Sequence, residues 1–262
     1  MLPIYYINMS TRPDRRDFME RQLVSLGLIG MRIEAVTEQD ISAEDAHRYC
    51  NTDRPNFLRK VELACTLSHE RAWRAMIDVD APAALILEDD AELSPLLPAF
   101  LKDAEKIDAD LIRIETTGSR TRVYPVANVE KSGVAIRGFR STPMGAAGYI
   151  IGAQAAKRML GHPGLRERQV DLALYNPFDE PGRSIKRVLT DPALCRQLGR
   201  TVATGQSDID GKFVRHSFAQ NHPFLHKAIK IRSFLKHSIR NASDDLMQRP
   251  RLERRVIPFA SK

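Results

Sequence analysis

Apolar and polar positions alternate along this chain in short blocks that predict strands and helices in turn. Residues 83–87, Ala-Ala-Leu-Ile-Leu, form an unbroken apolar run that stops at Glu88-Asp89-Asp90. A run this short and continuous predicts a strand buried on both faces, as in the middle of a largely parallel sheet. Residues 2–8 predict the first strand, and Ser10-Thr11 ahead of Pro13 marks the start of a helix. Met19, Leu23 and Leu26 recur at helical spacing there, with Gly27 as the C-terminal cap. A second strand is expected at 31–36. A short helix follows, opened by the box-like pair Ser42 and Asp45. After a loop at 50–60, a long helix is predicted at 61–79. Its Leu63, Leu67, Trp73 and Ile77 share a face, with His69 and Met76 at the edge.

Beyond the acidic triplet, Leu97, Phe100, Leu101, Ala104 and Ile107 outline another helix, reached through Ser94 and Pro95. Strands are expected at 110–115, at 122–129 and 134–139 around a turn, and at 143–151 running into a helix at 153–160. Residues 170–175 are mostly apolar, and 184–189 predicts a last strand, ended by Asp191-Pro192. Residues 201–212 are expected to be flexible or a lid. The alternation predicts an α/β fold: a mixed, mostly parallel sheet flanked by helices.

Composition narrows the class. With 262 residues, 43% hydrophobic and 28% charged, the chain can bury an ample core. No apolar run approaches a membrane span, and the start reads as a strand, not as a signal peptide. Cys50, Cys65 and Cys195 have no metal-like spacing and are expected to be free thiols. The net charge of +7 is uneven: residues 222–262 hold ten Lys or Arg against three Asp or Glu, which leaves the rest neutral. The basicity belongs to a C-terminal tail.

Candidate chemistry gathers at the ends of predicted strands. Three carboxylates closing an apolar strand repel one another. One of them could cap the next helix, but three favour a divalent cation, which takes carboxylate oxygens and reverses the local charge balance. Arg12, Arg15 and Arg16 crowd a helix start, where cations oppose the macrodipole. They fit a bound phosphate, or equally a solvated face with pairs such as Arg16–Glu20. His69, one turn before Trp73, has the spacing of a packed residue rather than a catalyst. Gly145, Ala146 and Tyr149 lie in a run of small residues that allows either a ligand or tight packing against the backbone. Asp171 is a lone carboxylate in an apolar segment, and Glu115 at the end of a strand is a second candidate to reach the site.

Several segments together resemble glycosyltransferase family 25 of lipopolysaccharide and lipooligosaccharide biosynthesis. They are residues 4–16 with Asn8 and Arg-Pro-Asp-Arg-Arg, the stretch Glu62-Leu-Ala-Cys-Thr-Leu-Ser-His69 with Trp73, residues 85–90, 142–149, and Val170-Asp171. Pro192, Gln197 and Ser207-Asp208-Ile209 resemble its closing segment. Val61, where the family usually has glycine, and Thr66 depart from the pattern without removing a functional group.

The resemblance implies a GT-A-type, Rossmann-like domain over 1–221. Its nucleotide-sugar half would span about 1–115 and its acceptor half about 116–221, with 222–262 as the tail. It implies a nucleotide-diphosphate sugar donor, most often UDP-galactose, a glycan acceptor and inversion. It places Asp90 and Glu88 on Mn²⁺ or Mg²⁺, and Asn8, Arg12, Arg15, Arg16, Glu34, Ser68, His69, Glu88 and Asp89 around the donor. Gly145, Ala146 and Tyr149 would form the sugar or acceptor pocket. An inverting displacement needs a base on the acceptor hydroxyl, with Asp171 first and Glu115 second. The rival readings are a metal-dependent phosphodiester hydrolase and a non-enzymatic, basic nucleic-acid-binding protein. The hydrolase lacks an obvious second metal cluster, and the binding protein has a neutral body, so no specific nucleic acid is expected.

In the tail, Phe224, Ala228, Ile231, Leu235 and Ile239 fall on one helical stripe with basic residues beside it. Such a helix fits either an anionic membrane surface near a lipid-linked oligosaccharide acceptor or docking on the domain. The first places the protein in the cytoplasm, peripheral on the inner face of the membrane.

Overall fold

The computed structural model describes residues 2–125, 128–129, 132–198, 218, 221–247 and 252–261. The expected lid at 201–212 and Ser207-Asp208-Ile209 lie outside the described residues. An eight-stranded sheet carries helices on both faces. Its strands are β1 (Ile4–Asn8), β2 (Met31–Glu34), β3 (Ala83–Glu88), β5 (Leu111–Arg113), β8 (Asn128–Val129), β9 (Ala135–Gly138), β10 (Gly148–Gly152) and β11 (Arg187–Asp191), in the order β2-β1-β3-β10-β5-β11-β9-β8. β3 sits between β1 and β10 and alternates between two cores. Ala84 and Ile86 join one core and Leu85 and Leu87 the other, all four with no exposed surface.

Four longer helices and one short one cover the two faces. On the first lie α3 (Lys60–Asp78) and α5 (Ala153–Gly161), with the short α6 (Val170–Tyr175) beside them. On the second lie α1 (Pro13–Ser25), begun by Pro13 at its first position, and α4 (Leu97–Ala104). α2 (Ala43–Tyr49) starts at Ser42, whose hydroxyl accepts from the Asp45 N–H at 3.0 Å as its spacing predicts.

Four features differ from the sequence expectation. The sheet is mixed, as expected, but not mostly parallel: among the described residues three neighbouring pairs are parallel and four antiparallel. β10 enters between β3 and β5 against both, and strand direction leaves no mark on apolar periodicity. The acidic triplet leads into a short strand, β4 (Ala91–Leu93), before the helix. Residues 110–115 split into β5 and β6 (Glu115–Thr116), which leave for different sheets. The strand after 184 begins at Arg187 and is not the last. β12 (Cys195–Gln197) joins β4 and β6, and β13 (Glu253–Val256) pairs with β7 (Arg120–Val123).

The basic stretch 222–262 is therefore two things. Pro223–Met247 is the helix α7, while the segment from Glu253 returns to the body, where Ile257 and Ala260 are buried. Among the described residues, no helix is long and apolar enough to cross a membrane.

Gly148 is where the sheets meet most tightly: a Cβ there would lie 2.3 Å from Cys195 Sγ and 3.1 Å from Ile114 Cγ1. Gly148→Ala is expected to destabilise the chain by about 1–3 kcal/mol through overpacking. The Gly148→Ala/Cys195→Ala double variant should recover part of the loss. Urea unfolding of the four proteins of the cycle measures the coupling, and simple additivity would show that the contact is not the cause.

Candidate functional site

β3 delivers its three carboxylates to a cleft of about 540 Å³ between the ends of β1, β2 and α3. Four elements hold them. From β1, Asn8 donates to Asp89 Oδ2 at 2.7 Å, while its own Oδ1 accepts from Arg32 at 3.0 Å. From α1, Arg15 lies 3.4 Å from Asp89 and 3.9 Å from Asp90. From α3, His69 Nε2 is 3.3 Å from Glu88 Oε1, and from β12 Gln197 donates to Glu88 Oε2 at 3.1 Å.

Behind His69 a hydrogen-bonded chain runs back into the core. Trp73 Nε1 donates to the Tyr149 hydroxyl at 2.8 Å, and that oxygen is 2.8 Å from His69 Nδ1. With Tyr149 donating to Nδ1, the Nε2 proton faces Glu88 and every group in the chain is satisfied. His69 thus combines two roles that the sequence set against each other: it is fully buried, and it also lines the cleft.

Burial and mutual repulsion dominate the electrostatics. Burial, with Asp89 and Asp171 nearby, pushes Glu88 up to about 7. Burial and Glu88 raise Asp90 to about 7 as well, against the opposing pull of Arg15. Burial also lowers His69 to about 4, so its ring is neutral. Asp90 Oδ1 is buried and has no hydrogen-bond partner. A buried carboxylate oxygen without a donor, beside a second carboxylate of raised pKa, fits a hard divalent cation. A softer donor set adjoins it: ligand atoms of Cys65, His69 and Glu88 all lie within 4.8 Å of one another and could hold a metal ion. Cys65 has no role on spacing alone. Its position one turn before His69 on α3 was the available signal.

The other expected residues separate. Arg12 and Arg15 line the cleft, whereas Arg16 pairs with Glu20 at 2.9 Å on the solvent side of α1. Ser68 lines it too, its hydroxyl accepting from Val36 N at 2.8 Å and fixing the loop after β2. Glu34 stands outside the lining, exposed, accepting from Ser10 N and pairing with Arg32. Gly145, Ala146 and Tyr149 also stand outside it. Gly145 has φ +86°, donates its N–H to Asp171 at 2.9 Å and gives its carbonyl to Arg113 at 2.6 Å. Glu115 is enclosed, 3.1 Å from Arg113, and accepts from Ala147 N at 3.0 Å. Glu115 and Asp171 therefore brace the same loop from two sides. Asp171 is also close enough to help push Glu88 up and to offset part of the burial that lowers His69. Thr37, Glu38 and Gln39, which complete the wall after β2, were not singled out from the sequence.

The model of glycosyltransferase family 25 (LPS biosynthesis protein) matches residues 1–171, well over half of the chain. The chain belongs to this family. It is 30% identical over 178 residues to the lacto-N-neotetraose biosynthesis glycosyltransferase LgtB of Neisseria gonorrhoeae, a match covering 63% of this chain and 60% of that protein. To LgtB of Neisseria meningitidis serogroup B it is 27% identical over 246 residues, covering 87% and 86%. To the lipooligosaccharide biosynthesis protein lic2B of Haemophilus influenzae it is 27% identical over 154 residues, covering 55% and 56%. The chain thus spans about 60% of the gonococcal relative it matches.

The raised carboxyls give a stability prediction. Folded Glu88 and Asp90 keep protons until about pH 7, while in the unfolded chain they lose them near their ordinary 4.5 and 3.8. Their contribution to stability therefore falls as pH rises through that window. His69 titrates with the opposite sign, so the test compares variants at one pH. In chelator, Asp90→Asn should melt above the wild type at pH 8, with the difference shrinking toward pH 5. Saturating Mn²⁺ should remove the advantage. Equal melting at pH 8 would mean that Asp90 carries no such cost.

Proposed function

We propose that the protein transfers a hexose, galactose, from a nucleotide-diphosphate sugar, UDP-galactose, to a lipopolysaccharide or related glycan acceptor, with inversion, on a GT-A-like fold. The observation that carries this reading is the half-buried Glu88-Asp89-Asp90 cluster lining one cleft with Arg12 and Arg15, with Asp90 Oδ1 lacking a partner. The relatives named for lacto-N-neotetraose and lipooligosaccharide biosynthesis support the acceptor class.

Asp90 and Glu88 would hold Mn²⁺ or Mg²⁺, which when bound supplies Lewis-acid neutralisation of the departing nucleoside diphosphate. Arg12 and Arg15 add positive charge at the start of α1, where the helix dipole also favours phosphate. Asn8 and Arg15 fix Asp89, and His69 and Gln197 fix Glu88, so the carboxylates are aimed before the donor arrives. Asp171 is the residue proposed to take the proton of the acceptor hydroxyl. Its nearness to Glu88 supports that role over Glu115, which is enclosed in an ion pair with Arg113. A lipid-linked acceptor would bring the protein to the cytoplasmic face of the inner membrane.

Two variants test the assignment. Asp90→Asn should lower transfer by several orders of magnitude with the fold intact, since a lost cation ligand costs transition-state stabilisation of several kcal/mol. Asp171→Asn should abolish transfer while UDP still binds with Mn²⁺ present. Nucleotide release from a panel of nucleotide sugars is the assay. Full activity in Asp90→Asn, or in wild type after exhaustive chelation, would overturn the metal reading. Full activity in Asp171→Asn would return the base to Glu115.

A further inference from the structure

We infer that α7 lies along the surface of an anionic phospholipid bilayer, with the side that faces away from the body sunk into the interface. The inference takes from the proposed function only its purpose, to hold the protein beside a lipid-linked acceptor. The binding itself follows from the helix.

A helix docked on a soluble domain turns its apolar stripe inward. α7 does the reverse. The side packed toward the body carries His226, Ile229, Ser233 and His237, the half-covered positions at helical spacing. It is held there by polar contacts: Lys236 and His237 both pair with Asp179, and the His237 ring stacks on Phe178 at 4.7 Å. The opposite side carries Phe224, Ala228, Ile231, Leu235 and Ile239, and its large side chains are 89%, 50%, 52% and 67% exposed for Phe224, Ile231, Leu235 and Ile239. Phe234, 70% exposed, widens it. At 1.5 Å per residue the stripe runs for roughly 22 Å. An apolar band of this length left in water costs free energy that burial elsewhere would recover.

Charge selects the occupant. On the helical wheel Lys227 lies between Ile231 and Phe234 on one side and Arg232 flanks Ile239 on the other, with Lys230 just beyond Phe234. Stems long enough to keep their charges at the headgroups while the stripe enters the acyl region are what an interfacial helix requires. A protein partner with an apolar groove would not need cations on both margins, whereas an anionic leaflet attracts them.

Flotation of the full chain with vesicles of phosphatidylcholine and 30% phosphatidylglycerol tests this. Binding is expected to be strong at low salt, weak on pure phosphatidylcholine, and reduced as salt rises. Ile231→Ser/Leu235→Ser should weaken it by about tenfold or more, and Lys227→Glu/Arg232→Glu should lower it on anionic vesicles alone. Val24→Ser, which removes a more exposed apolar side chain from α1, should bind as wild type does. Transfer to a soluble acceptor should be unchanged in all of these, so failure of the vesicle assay and failure of the transferase reading are distinguishable. Equal vesicle binding by wild type and Ile231→Ser/Leu235→Ser would overturn the inference. So would absence of binding together with a dimer in light scattering that those substitutions dissolve, which would make the stripe a contact between two copies.

Discussion

Three carboxylates at the end of a strand buried on both faces set the terms for the rest of this molecule. β3 can be so apolar because helices cover the sheet on both sides, and that same cover removes water from Glu88 and Asp90. Their charges then repel at close range in a poorly screened setting. Donors converge from β1, α1, α3 and β12, yet they satisfy Asp89 and Glu88 better than Asp90. The site is thus built under electrostatic tension that a bound cation would relieve. Binding sites are commonly less stable than the fold could make them, because the groups arranged for a ligand are poorly arranged without one.

Rigidity reaches this site from the core rather than from the surface. The chain from Trp73 through Tyr149 to His69 ends on Glu88, so one carboxylate is oriented by side chains that are also central packing residues. A second brace, from Arg113, Glu115 and Asp171, fixes the backbone of residues 144–147 beside it. Gly145 is required in that brace. Its φ is positive, and a Cβ would meet Glu115 Oε1 at 2.5 Å. The small residues at 145–148 therefore serve close packing between backbone and carboxylates, and two carboxylates with the look of catalytic candidates share the structural work.

Much of this was legible in the sequence because it is local. The apolar run at 83–87, Pro13 at a helix start and the Ser42 cap each follow from spacing along a few residues, and each stands where that spacing puts it. The buried face of α3 is turned from the expected one, since His69 and Met76 are fully buried while Leu67 and Ile77 are half-buried. The acidic triplet at a strand end marked the cleft, and the stripe in α7 marked an apolar helical face. The tertiary structure decided what depends on residues distant in the chain. Strand direction came from where β10 inserts, since an antiparallel neighbour buries the same side chains as a parallel one. Arg12 and Arg15 were separated from Arg16 by which side of α1 meets the cleft, and Cys65 was joined to Glu88 by packing of α3 on β3. The outward turn of the α7 stripe was decided by ion pairs to Asp179 and a ring stack on Phe178, more than forty residues away. Periodicity records that a helix has an apolar side; only the positions of the other elements determine what that side meets.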